Sequence, residues 1–100
     1  MTSLHTAQAA RKDIQDIRKF RKSRFGSRVV RDYLNGLSAT FDLIAARPSI
    51  GAPESDLGSG MRSFAYRSHR TYYRPDGDGL LVLRVLHRSR DVSQAFEARS

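Results

Sequence analysis

Apolar residues in the first half of the chain recur at three- and four-residue steps; in the second half they alternate or run together. Ala7, Ala10, Ile14, Ile17 and Phe20 form one stripe with charges between them, the period of an amphipathic helix. Thr6 stands where an N-cap belongs, and Gly26 after Phe25 suits the left-handed backbone that closes a helix. Ser27 then caps a second helix, whose stripe is Val30, Tyr33, Leu34, Leu37, Phe41 and Ile44. Pro48 ends it, because a proline pushes the residue before it out of helical geometry. Gly36 inside that stripe costs about 1 kcal/mol relative to alanine, which points to close approach of another backbone. So short a break predicts an antiparallel helical hairpin over about residues 6–47, its two stripes sharing a third surface.

The second half supplies that surface. Residues 48–60 (PSIGAPESDLGSG) hold two prolines and three glycines and read as a connecting loop. From Met61 the pattern changes: MRSFAY alternates, Thr71-Tyr72-Tyr73 is β-branched and aromatic, and LLVLRVLH is nearly continuous apolar sequence. Pro75-Asp76-Gly77-Asp78-Gly79 is a strong hairpin turn, and Arg67-Ser68-His69 a shorter one. The expected fold is α+β: one domain, 1–100, with the hairpin packed on a three- to four-stranded antiparallel sheet over about 61–90. Residues around Ser3–His5 are the candidate edge strand. The segment DVSQAFEARS reads as a short C-terminal helix capped by Asp91, or else as a frayed tail.

One hundred residues is the size of a single domain. There is no cysteine, so disulfides and thiolate metal sites are excluded and a reducing compartment is compatible. The first residues carry no apolar run of signal-peptide length, and the longest apolar stretch, Leu80–Leu83, is far too short to span a membrane. A cytoplasmic location is the default expectation. Charge changes the picture most. The formal net charge is +8, and of eighteen basic residues fifteen are arginine, leaving Lys12, Lys19 and Lys22. Arginine's planar fork suits carboxylate and phosphate, which favours an acidic macromolecular partner; a GC-rich genome would produce the same bias through its codons.

Several chemistries are absent. His5, His69 and His87 lie in separate segments without metal-ligand spacing, no phosphate-loop, dinucleotide or hydrolase motif occurs, and no paired carboxylates stand out. No cofactor and no metal is expected. What does stand out is a basic and aromatic cluster on the expected sheet: Arg62, Tyr66, Arg67, His69, Arg70, Tyr72, Tyr73, Arg74, Arg84, His87, Arg88 and Arg90. Such a set can hold a phosphate and stack a base. It is equally compatible with tyrosines alternating between core and surface while the arginines face water. His87, at the end of the most apolar strand, fits a hydrogen-bonded structural residue better than a catalytic base.

Five fragments in order then carry a family resemblance: AxxDIxxI at Ala10–Ile17, FG at Phe25-Gly26, YLNGLxxxFDLIAxRPxIG from Tyr33 to Gly51, GMRSFAYRSHRTYYR from Gly60 to Arg74, and VLRVLHRSRD from Val82 to Asp91. Together they resemble the RelE/ParE superfamily of type II toxins, the ParE branch in particular. The resemblance implies a toxin made beside a labile ParD-like antitoxin, whose acidic C-terminal segment folds as it wraps the toxin. Its contacts would be Ile17, Phe20, Leu34, Leu37 and Phe41, with Arg62, Arg70 and Arg74 at the rim. ParE-like toxins act on DNA gyrase without being enzymes, and Tyr66, His69, Tyr73, His87, Arg88 and Arg90 are the implied target-binding set. RelE-like members instead cut mRNA in the ribosome. Here that alternative would use Arg67, Arg88 and Arg90. The sheet has no lysine, however, and no tyrosine follows Tyr73, so the nuclease set is incomplete and gyrase is the favoured target. Direct nucleic-acid binding is left open by charge alone.

Overall fold

A computed structural model describes residues 3–97. The chain runs β1 (Leu4–Thr6), α1 (Gln8–Phe25), α2 (Ser27–Ala46), β2 (Ala52–Pro53), β3 (Arg62–Tyr66), β4 (His69–Asp76), β5 (Gly79–His87) and α3 (Val92–Glu97), with single 3-10 turns at Pro48–Ile50 and Ser55–Leu57. The α+β class and the helical hairpin are as the periodicity predicts. The sheet differs: it has five strands in the order β1-β5-β4-β3-β2, and it is mixed. β1 lies parallel to β5, with Leu4 opposite Leu80 and Thr6 opposite Val82. β2 pairs with β3 inside what reads as loop. Two or three residues are too few to display a period, and Pro53 is tolerated because β2 is an edge.

Both helix starts differ from expectation. Thr6 belongs to β1, so Ala7 is the N-cap of α1 and offers no side-chain cap; its N–H continues the ladder by donating to Val82 O at 2.9 Å. Ser27 is already the first residue of α2, and Gly26 alone separates the helices. Gly26 has φ +90°, a conformation that glycine adopts without a steric penalty, and its N–H closes α1 on Lys22 O at 3.1 Å.

The main core lies between the hairpin and one face of the sheet: Ala10, Ile17, Tyr33, Leu37, Ile44, Tyr73, Leu80, Val82 and Val85. Neighbouring strand residues point to opposite faces, so Tyr72, Leu83 and Leu86 form a second cluster with Met61 and with Ala95 of α3. Phe96 meets Tyr72 edge to face at 5.7 Å. Asp91 caps α3, accepting from the Gln94 N–H at 3.1 Å, which settles residues 92–97 as helix; residues 98–100 lie outside the described part.

The approach at Gly36 is made by a side chain rather than by backbone. A Cβ there would lie 2.0 Å from the Tyr66 hydroxyl oxygen, and Tyr66 uses that space to donate to Tyr33 O at 2.9 Å. No helix among the described residues is long and apolar enough to cross a membrane.

Candidate partner-binding site

β1 ends at Thr6, so the next part of β5 has no strand on that side. α1 fills the gap with Asp13. Its carboxylate accepts from Arg84 Nε at 2.8 Å and Arg84 Nη2 at 2.9 Å, and from the Val85 N–H at 2.9 Å. Arg84 donates its remaining reach to Ala95 O at 3.1 Å, tying α1, β5 and α3 together. The hydrogen bonds to Asp13 raise the Arg84 pKa, ahead of the opposing effect of burial.

One helical turn further along α1, the surface opens into a cleft of about 260 Å3 lined by Asp16, Ile17, Phe20, Arg21, Ser68, His69 and His87. β4 and β5 bring the two histidines together. Their pairing starts at the turn with Asp76 opposite Gly79, and a bulge between Tyr72 and Tyr73 shifts it by one residue. Unshifted pairing would set His69 opposite Leu86; the bulge sets it opposite His87, on the same face. The rings stand edge to face at 5.3 Å.

The walls of the cleft are held by hydrogen bonds. His69 Nδ1 and the buried Tyr33 hydroxyl are 2.5 Å apart. Arg21 lies over the Tyr33 ring at 3.6 Å and donates to Ser68 Oγ at 3.3 Å. His87 Nδ1 accepts from the Ser89 N–H at 3.1 Å. Burial, followed by the charges of His87 and Arg21, lowers the His69 pKa to about 4, so that ring is neutral at pH 7. The rim is basic. Arg67 sits in the turn at φ +52° and shares a neighbouring depression with Arg21. The Arg88 N–H donates to Ser68 O at 2.8 Å, and Arg90 lines a separate, smaller depression shared with His69, His87, Asp13 and Asp16.

A second depression, of about 340 Å3, follows the outer side of the hairpin, where Arg18, Lys22 and Arg31 surround Val30 and Leu34. The hairpin tip carries Phe25, 52% exposed, whereas Phe20, 59% exposed, lies on the side of α1 that lines the first cleft.

The residues expected to form the sites separate accordingly. Phe20 is exposed, and Leu34 and Phe41 are half-buried against the core. Leu37 is core and only 2% exposed, so the exposed face expected of it is not there; Ile17 is also core, and what remains of its surface lines the cleft. Tyr73 is likewise structural. Its hydroxyl accepts from the Gly51 N–H at 2.9 Å and donates to Pro48 O at 2.7 Å, and it is 1% exposed. Tyr66 is half-buried against Gly36. Arg62 donates to Gly51 O at 2.6 Å and Arg70 to Ser63 Oγ at 2.7 Å; both brace the β2–β3 edge. Arg74 stands 3.8 Å from Asp76. His69 and His87 line the cleft, Arg67 and Arg90 line depressions that adjoin it, and Arg88 is tied to it through its backbone N–H on Ser68 O. Arg21, Ser68 and Tyr33 complete it without having been singled out from sequence, as no local spacing links them to the histidines. Among the described residues no group of three or more metal-ligating side chains occurs.

Comparison with known proteins agrees with this architecture. Toxin ParE1 of Caulobacter vibrioides is 35% identical over 89 residues, 89% of this chain and 92% of the relative. Toxin ParE3 of the same organism is 33% identical over 61 residues, 61% of each chain. A solved structure described as the chromosomal ParDE TA system from P. aeruginosa shares the fold, with a TM-score of 0.75 over 87% of this chain and 96% of that one at 18% identity. Residues 4–92 match the family described as ParE toxin of type II toxin-antitoxin system, parDE, and the chain therefore belongs to the ParE toxin family.

Proposed function

We propose that this protein is the toxin of a type II toxin–antitoxin pair, that a ParD-like antitoxin neutralises it, and that it inhibits DNA gyrase rather than cleaving RNA. The observation that carries the antitoxin is the outer groove of the hairpin. Its apolar floor of Val30 and Leu34 lies between Arg18, Lys22 and Arg31, and no acidic residue occurs from Arg18 to Arg31. An amphipathic helix with an acidic border complements it in both shape and charge. Phe41 follows Leu34 along α2 and extends the apolar contact; Phe20, which lines the other cleft, and Arg62, Arg70 and Arg74 would add contacts outside the groove.

Family membership supports gyrase as the target, and residue types support it over RNA cleavage. Arg67, Arg88 and Arg90 could neutralise a phosphate, but no lysine and no late tyrosine accompanies them. His69, His87, Arg88, Arg90 and Tyr66 are the proposed target-facing residues. Purified protein is expected to inhibit gyrase supercoiling or trap cleaved DNA, and a co-expressed antitoxin to abolish both effects. Inactivity on gyrase together with ribosome-dependent mRNA cleavage would replace this reading with the RelE-type one, and Arg→Ala changes at Arg67, Arg88 and Arg90 would then abolish cleavage in a folded protein.

A further inference from the structure

We propose that the cleft between α1 and the β4–β5 end binds one unpaired nucleotide of a single-stranded nucleic acid. The base would lie against Phe20 and the His69–His87 pair, with the adjoining phosphates on Arg21, Arg67 and Arg90. This goes beyond the toxin reading and does not depend on gyrase being the target.

Shape argues first. At about 260 Å3 the cleft falls just below the roughly 300–1,000 Å3 of drug-sized sites, room for one flat heterocycle. Three rings line it, the exposed Phe20 together with His69 and His87, the two imidazoles standing perpendicular to each other at 88°. His69 is neutral at pH 7, with its pKa lowered to about 4 by burial first, so it offers a stacking surface rather than a charge.

Charge argues next. Arg21 uses one hydrogen bond, to Ser68, and the guanidinium has five donors; the donors left over are available to an anion. Arg67 adjoins it through the shared depression, and Arg90 lines an adjoining one with His69 and His87, where Asp13 and Asp16 also stand. Cations beside aromatic rings are the arrangement by which strands are held, the backbone on the charges and the base on the rings.

The same features disfavour an acidic side chain in this cleft. A carboxylate would leave the ring surfaces unused. It would also meet Asp16, which lines the cleft and is tied to Lys12 at 3.1 Å. A base carries both donors and acceptors, so an exocyclic amine can donate to Asp16 while ring acceptors face Arg21. A duplex cannot present a base in this way without unpairing it.

The test is fluorescence anisotropy of the full chain with a labelled 12-nucleotide DNA strand, the same sequence as 2′-O-methyl RNA, the corresponding 12-base-pair DNA duplex, and a polyglutamate peptide. Single strands are expected to bind at least about tenfold more tightly than duplex or peptide. Phe20→Ala is expected to weaken strand binding by about tenfold to a hundredfold without changing the slope of affinity against salt. Arg90→Ala should flatten that slope by about one. Both residues are exposed, and circular dichroism checks that the variants fold. Whether the DNA or the RNA strand binds better identifies the source of the nucleotide. Equal affinity for strand and duplex, no effect of Phe20→Ala, or preference for polyglutamate would each overturn the proposal. Gyrase inhibition is measured separately, so loss of one activity with retention of the other tells the two readings apart.

Discussion

Two polar clusters lie along α1 where it crosses β5, barely one helical turn apart. Around Asp13, three donors converge on one carboxylate, and the Asp13 and Arg84 side chains are each 11% exposed. Around His69, the bonds to Tyr33 and Ser68 fix the walls, but Arg21 keeps unused donors and His87 stays exposed beside an open cleft. Both clusters join the hairpin to the sheet. The difference between them is saturation. A cluster whose donors and acceptors are matched holds the fold, whereas one with donors to spare is available to a partner.

The strongest test of that contrast is Asp13→Ala. It strands the Arg84 charge and the Val85 N–H together, and breaking one side of a buried ion pair costs about 3–5 kcal/mol. Urea unfolding should show the midpoint falling by a corresponding amount. Asp13→Asn keeps an acceptor for the Val85 N–H and should recover part of the loss. If Asp13→Ala costs less than about 1 kcal/mol, Asp13 is no anchor and the contrast fails.

Next in size is Gly36→Ala. The new Cβ would overlap the Tyr66 hydroxyl and push it off Tyr33 O, at a cost of about 1–3 kcal/mol by overpacking. Introducing Tyr66→Ala first should remove most of that cost, because the obstacle is then gone. A double-mutant cycle measures this coupling directly. Simple additivity would mean that the helix propensity of Gly36, and not its contact with Tyr66, sets the effect.

The helical hairpin was legible because eighteen- and twenty-residue helices repeat their apolar stripe often enough to show a period. The strands β3, β4 and β5 were legible from alternation and from the turn at Gly77. β1 was legible as a candidate edge strand around Ser3–His5, though not its parallel pairing with β5; β2 was not legible, being too short to alternate. The two clusters were hidden for different reasons. Asp13 and Arg84 lie 71 residues apart, and nothing local marks an aspartate that will cap a strand. His69 and His87 are both conspicuous, but counting back from the turn pairs His69 with Leu86. Only the bulge at Tyr72/Tyr73 turns the histidines toward each other. Tyr73 and Leu37 stand in the expected binding sets yet are buried, because neither a family motif nor an apolar stripe reveals which side chains face inward.

The open cluster has its own signature in pH. The His69 pKa lies near 4 in the folded protein, with burial the main cause, against about 6.5 in the unfolded chain. The unfolded state therefore binds the extra proton first. Stability is complete above pH 6.5 and falls as the pH drops from 6.5 towards 4. Water still reaches this half-buried ring, so the loss is about 1–2 kcal/mol. Urea midpoints from pH 7 to pH 4 should follow that slope in the parent protein, and His69→Gln should flatten it. An unchanged slope in the variant would assign the pH dependence to other groups.

The smallest effect sharpens the comparison most. Lys12 and Asp16 form an ion pair at 3.1 Å on the same helix, with side chains 74% and 58% exposed. In distance it matches the Asp13–Arg84 pair closely; in burial it is the opposite. Lys12→Ala should therefore cost no more than about 0.5 kcal/mol, the usual value of an exposed pair four residues apart, and added salt should erase it. Salt should leave the effect of Asp13→Ala nearly unchanged, because ions do not reach between buried groups. A large or salt-resistant effect of Lys12→Ala would mean that Asp16 is held in place for the cleft it lines. The boundary between the closed and open clusters would then move from Asp13 to Asp16.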